Sequence, residues 1–308
     1  MAPVLEFHSV SKLYRSFFTR KDRWALRDFS VKVERGEIVG FLGPNGAGKT
    51  TAIHLSLGLA QSTTGHGTLL GHKFGDVAAR RKVGFLSESP AFYHQSARAV
   101  LKFCGGLNGV REPELSRRTT DLLGAIGLLS DANRNISKFS RGMLQRIGFA
   151  QALINDPELL ILDEPTSALD PISRLQVREV LLAERNRGKS VFLSSHQLSE
   201  VELICDRVVF VQEGRVIASG RTYEMLQTSD QYEIIASRLT SALAPTLNVH
   251  HDSDRSIFTV TKSEQRAAIE HIWNAGGTLI SVTPKTRSLE QLFVDLMKTP
   301  RSRDQEAQ

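Results

Sequence analysis

The stretch Gly43-Pro-Asn-Gly-Ala-Gly-Lys49-Thr50 limits what this chain can fold into more than any other. A short apolar run at 37–42 precedes it and a helical pattern at 49–59 follows, so the loop joins a buried strand to a helix. Its glycines let successive backbone N–H groups turn inward around an anion, and the helix start adds its partial positive charge. Lys49 brings a point charge to the terminal phosphates, and the Thr50 hydroxyl is placed to ligate Mg²⁺. The spacing and its context imply a nucleotide site.

The rest of the pattern supplies a sheet for that loop. Residues 4–10 alternate, as do Phe29, Val31 and Val33 against Ser30, Lys32 and Glu34, which predicts half-exposed antiparallel strands. Continuous apolar runs at 37–42, 158–162, 190–194 and 208–211 then alternate with helical segments, the mark of a buried parallel sheet. Residues 84–127 are rich in helix formers and predict a helical insertion packed through Val100, Leu101, Leu107, Leu122, Leu123 and Ile126. The pattern breaks at Thr228-Ser-Asp230, which divides the chain into residues 1–228 and a small α+β domain at 229–298. Strands are expected there near 232–236, 257–261 and 278–283. Ser288 and Gln291 form a capping box for a last helix, and the polar tail 299–308 is expected to be disordered.

The run 159–162 ends in Asp163-Glu164. An apolar strand that ends in two carboxylates, downstream of a phosphate loop, places Asp163 to hold Mg²⁺ and Glu164 to polarise an attacking water.

Composition excludes other classes. Hydrophobic residues make 41% and charged residues 23% of the 308, the balance of a globular protein. Nothing approaches the roughly 20 consecutive apolar residues of a membrane-spanning helix, and the start lacks a signal-peptide pattern, so a cytosolic chain is expected. Cys104 and Cys205 make no metal-ligand spacing. The net charge is +6, and the basic residues Lys12, Arg15, Arg20, Lys21, Arg23 and Arg27 read as a solvated surface loop rather than a nucleic-acid site.

Residues 138–146 narrow the family. Phe139-Ser140-Arg141-Gly142-Met143 opens a helix just ahead of the Asp163-Glu164 strand and resembles the signature of ABC ATPases, usually L-S-G-G-Q. The resemblance implies a P-loop ABC ATPase fold with a parallel sheet core, an antiparallel β subdomain, a helical subdomain and a small α+β C-terminal domain. It implies ATP and Mg²⁺ as cofactors. Gly43, Pro44, Asn45, Gly46, Ala47, Gly48, Lys49, Thr50 and Thr51 would hold nucleotide, joined by Tyr14 stacked on adenine and by Ser140 and Gly142. Thr50, Asp163 and Glu88 would face the metal, with Glu164 and His196 as catalytic residues. Glu88 ends Val83-Gly-Phe-Leu-Ser-Glu88, where the family usually has glutamine. Ser167-Ala-Leu-Asp170 resembles the D-loop, and Asp170 before Pro171 is also a good helix cap.

With one phosphate loop and one signature helix, two shared sites need a second ATPase subunit, as homodimer or heterodimer, related by two-fold symmetry. The family further implies an integral membrane permease as partner, no nucleic acid, and a place at the cytoplasmic face of the membrane. The signature variant and the accessory domain favour export; an importer subunit is the alternative. No heptad array separates loop from signature, which excludes a chromosome-maintenance ATPase.

Overall fold

The computed structural model describes residues 2–15, 22–92, 95–238, 248–252 and 255–298, without the side chains of 227–230 and 248–252. It forms two compact units, Met1–Thr222 and Tyr223–Gln308.

A six-stranded sheet forms the centre of the first unit. Its strand order is Arg215–Arg221, Arg207–Gln212, Ile38–Leu42, Ser190–Ser195, Leu159–Asp163 and Val83–Leu86. The last five run parallel, and Arg215–Arg221 returns antiparallel at the edge. Ile38–Leu42, Leu159–Asp163 and Ser190–Ser195 are buried throughout, which is why they read as unbroken apolar runs. Because these strands are neighbours in register, their carboxyl ends share one rim. Leu42 pairs with Ser195, Asp163 with Ser194, and Leu86 with Leu162. That rim is where an open parallel sheet places its ligands.

A four-stranded antiparallel sheet packs beside it, with Leu5–Tyr14 between Arg23–Val33 and Thr64–Leu69. Ring contacts tie the two sheets together. Phe7 meets Phe29 at 5.1 Å between centroids, Phe29 meets Phe41 at 5.5 Å, and Phe41 meets Phe192 at 5.3 Å. Buried aromatic pairs contribute roughly 0.5–1.5 kcal/mol each beyond the area they bury. The contacts therefore help to set the position of Tyr14, at the end of its strand, relative to the phosphate loop.

The helical insertion begins later than its composition suggests. Val83–Leu86 is an edge strand too short to show a period, and the helices are Ala97–Leu107 and Glu114–Ala125. Val100, Leu101, Leu123 and Ile126 are buried as expected, but Leu107 is 72% exposed. The helix ends at Leu107, beside Asn108 and Gly109, with nothing left to pack its last side chain. Cys205 lies buried and Cys104 half-buried, both free, and burial pushes both thiols up.

The second unit is α+β. Its sheet has the order Asn248–Asp252, Arg255–Thr261, Gln227–Ser237, Thr278–Thr286, all antiparallel. The helix Gln265–Asn274 covers one face through Ala268 and Ile272, over Ile234, Ala236, Phe258 and Val260. Thr228–Asp230 lie inside its first strand, where the pairing shifts between Gln227 and Tyr232; the polar interruption is an irregularity of the ladder. The capping box at the last helix, Leu289–Lys298, is present in both directions: Gln291 N donates to Ser288 Oγ at 3.2 Å, and Ser288 N to Gln291 Oε1 at 3.1 Å. The tail 299–308, together with Arg20 and Lys21 of the basic patch, lies outside the described residues.

Candidate functional site

The phosphate loop turns at the end of Ile38–Leu42 and starts the helix Lys49–Ser56. Gly48 is the N-cap with φ 109°, a left-handed backbone that side chains resist, and no side chain caps the helix. A Cβ there would also lie 2.4 Å from the Ala25 carbonyl. Gly43 is just as confined, since its Cβ would meet the Val211 carbonyl at 2.3 Å. The bare first turn leaves its N–H groups without intrahelical partners, a positive cradle for an anion.

Lys49 is 7% exposed, so its ammonium is spent on fixed partners. Nζ donates to the carbonyls of Gly43 at 2.7 Å and Pro44 at 3.4 Å, and stands 3.8 Å from Glu164 Oε1. Thr50 Oγ1 donates to Asp163 Oδ2 at 2.9 Å, and Ser194 Oγ donates to Asp163 Oδ1. Thr50 and Asp163 thus present hard oxygens side by side, the donor type that Mg²⁺ prefers. Among the described residues no three metal-ligating side chains converge. That set fits an ion bound through one or two carboxylates plus substrate phosphates.

Glu164 follows the strand with φ 52°, an unusual backbone for a glutamate, and is 6% exposed. Three elements hold it there. Its N–H donates to Ser194 Oγ at 3.1 Å, and Gln145 Nε2 donates to its carbonyl at 3.1 Å. Oε2 lies 2.7 Å from His196 Nδ1 and accepts from the His196 backbone N–H at 3.3 Å. With the Nδ1 proton facing the carboxylate, His196 leaves Nε2 free of that bond. A buried carboxylate between an imidazole and an ammonium is equipped to take a proton from water.

Lys49, Thr50, Asp163, Glu164 and His196 line a cleft of about 480 Å³, together with Tyr14, Asn45, Gly46, Gly48, Thr51 and Glu88. Gly43 and Pro44 contribute carbonyls behind Lys49, and Ala47 is buried beneath the loop. Ser140 and Gly142 do not line that cleft. Ser140 caps its helix by accepting from Met143 N–H at 3.2 Å, and a Cβ on Gly142 would come 2.8 Å from the Ala168 carbonyl, so the signature helix packs on the D-loop segment. Asp170 caps the next helix, accepting from the Ser173 hydroxyl and from the N–H groups of Ser173 and Ile172, which holds its carboxyl below the usual range. Ser194, Arg23 and Ala25 carry no motif signal, and Gln145 falls in the 138–146 run without a role of its own there; only the folded register brings them to the site.

The family model described as ABC transporter matches residues 26–167. An uncharacterized ABC transporter ATP-binding protein of Synechocystis is 36% identical over 95% of this chain and 84% of its own length. The bacitracin transport ATP-binding protein of Bacillus licheniformis is 31% identical over 96% and 98%. A solved structure described as the ATP-binding subunit of an ABC transporter superposes with a TM-score of 0.69 at 25% identity, over 96% of this chain and 100% of that one. With relatives above 30% identity over nearly all of its length, the chain belongs to the ABC transporter ATP-binding proteins.

Proposed function

We propose that this chain is the ATP-binding and ATP-hydrolysing subunit of an ABC exporter, closing as a dimer on ATP and driving a separate permease from the cytoplasmic face of the membrane. The observation that carries the reading is the convergence on one cleft of the phosphate loop, the Thr50–Asp163 pair and the Glu164–His196 pair. The loop and Lys49 bind the polyphosphate, and Tyr14 offers its ring to the base. Thr50 and Asp163 would hold Mg²⁺ together with phosphate oxygens, and the ion would supply charge neutralisation at the phosphates. Glu164 accepts the proton of the attacking water while His196 keeps its carboxylate oriented. The signature helix, outside the cleft of its own chain, completes the site of a second subunit. Among the described residues no helix is long and apolar enough to cross a membrane, and this reading assigns the permease to another chain. Support for export comes from the signature variant and from a fluoroquinolones export ATP-binding protein of Mycobacterium tuberculosis, 37% identical over 65% of this chain.

The test is direct. Purified chain with Mg-ATP should release phosphate, and membranes should yield a multi-helix permease copurified with it; a chain that binds no nucleotide ends the proposal.

Glu88 lines the cleft where the family usually carries glutamine. A carboxylate is a stronger ligand for a hard divalent cation, and it repels phosphates when the cation is absent. Glu88→Gln is therefore expected to weaken the Mg²⁺ requirement for ATP binding and to lower permease-stimulated hydrolysis. Unchanged Mg²⁺ titration and stimulated rate would remove Glu88 from metal sensing.

Tyr223–Gln308 has its own apolar cluster, Ile234, Ala236, Phe258, Val260, Ala268 and Ile272. This accessory domain folds separately and regulates or braces the dimer. Truncation at the domain boundary should leave nucleotide affinity measurable and change dimer lifetime or coupling. A soluble, folded truncation without ATP affinity contradicts this.

A further inference from the structure

The cleft contains a cation that no motif accounts for. Arg23 opens the strand Arg23–Val33, Tyr14 closes the strand Leu5–Tyr14, and the two are directly opposed in the antiparallel ladder. Residues opposed in this way share a face, with Cβ atoms roughly 4.5–5.5 Å apart. Both line the cleft. From the strand, Arg23 reaches the phosphate loop: Nη2 donates to the Gly46 carbonyl at 3.4 Å and lies 2.8 Å from where a Cβ on Gly46 would stand. Two residues along the same strand, the Ala25 carbonyl presses on Gly48. The backbone that carries Arg23 is therefore held against the loop.

Lys49 and Arg23 divide the loop between them. Lys49 is buried and faces Gly43, Pro44 and Glu164, at the catalytic end. Arg23 is exposed and stands beside Gly46, on the side of Tyr14. With a nucleotide base on the Tyr14 ring and its terminal phosphate at Lys49, the phosphates nearest the ribose pass Arg23.

We infer that Arg23 is a nucleotide-binding residue whose guanidinium grips the base-proximal phosphates, those that ADP and ATP share. The inference rests on the reading of the cleft as an ATP site and deepens it. A hydrogen bond of 3.4 Å to a neutral carbonyl is a weak tie. A phosphate oxygen offers a shorter, charge-assisted bond, and the planar fork of arginine suits it, so the guanidinium exchanges the Gly46 carbonyl for phosphate when nucleotide enters. Salt screens the contact because the side chain is exposed.

Arg23→Ala and Arg23→Lys in the full-length chain test this, by equilibrium binding of fluorescent ATP and ADP at low and high salt and by thermal unfolding. Arg23→Ala is expected to weaken ATP and ADP alike by about tenfold, the worth of one exposed charge-assisted hydrogen bond. The loss should shrink at high salt, and Arg23→Lys should restore part of the affinity. Wild-type affinities for both nucleotides in Arg23→Ala overturn the inference and reduce Arg23 to a brace on the loop. A loss equal at both salt concentrations overturns it as well, because the missing contact is then not with charge. Wild-type protein that binds neither nucleotide overturns the reading of the cleft and this inference with it.

Discussion

Replacing Glu164 by glutamine should abolish steady-state ATP hydrolysis while ATP binding survives. The substitution keeps shape and volume, so the Ser194 and Gln145 contacts to the backbone at this position are untouched, and His196 Nδ1 still finds an oxygen to donate to. What disappears is the base. A positioned general base is worth about 10²–10⁴ in rate, so turnover should fall by roughly that factor. Removing a buried negative charge 3.8 Å from Lys49 also frees the ammonium for phosphate, so affinity for ATP should rise rather than fall. With closure intact and hydrolysis blocked, Mg-ATP should trap a dimer visible by size exclusion. Phosphate release at the wild-type rate would take Glu164 out of the mechanism. Loss of hydrolysis together with loss of binding would point instead to a collapsed site.

The loop and the paired carboxylates were legible because their chemistry is local. Gly43 to Thr50 fixes a backbone shape, and an apolar strand ending in Asp163-Glu164 fixes the place of two side chains at the rim of a sheet. Arg23, Gln145 and Ser194 were not legible as site residues. Arg23 reaches the cleft, and Gln145 and Ser194 reach the carboxylate residues that line it, by strand register or helix packing between segments distant in sequence, and a lone arginine, glutamine or serine carries no period.

In the fold, the same distinction decides what was missed. The buried parallel strands announce themselves as apolar runs. Val83–Leu86, too short for a pattern, and Thr64–Leu69, polar and glycine-bearing, do not. In the second unit, Asn248–Asp252 reads as an unpatterned polar segment, and it enters the sheet by pairing with Arg255–Thr261. The helix Gln265–Asn274 has no clear sequence pattern because its buried residues are only Ala268 and Ile272, a stripe too narrow to stand out.

Lys49→Ala should have the opposite signature to Glu164→Gln: binding lost before any chemistry. Lys49 is the buried cation of the cleft, and its three neighbours are two loop carbonyls and the Glu164 carboxylate. Hydrogen bonds to charged groups contribute about 1.5–3 kcal/mol, and each 1.4 kcal/mol is tenfold in affinity, so ATP should bind roughly 10- to 150-fold more weakly. A second effect adds to the first. Without the ammonium, Glu164 keeps its charge beside incoming phosphates with only His196 to offset it, which raises the electrostatic cost of loading the site. The double variant Lys49→Ala with Glu164→Gln should therefore recover part of the lost affinity, although it hydrolyses nothing. Equilibrium binding of fluorescent ATP to the four proteins measures this as a double-mutant cycle. Affinity within twofold of wild type in Lys49→Ala would show that the loop N–H groups alone carry the phosphates. Affinity in the double variant no higher than in Lys49→Ala would show that the Glu164 charge does not oppose the phosphates.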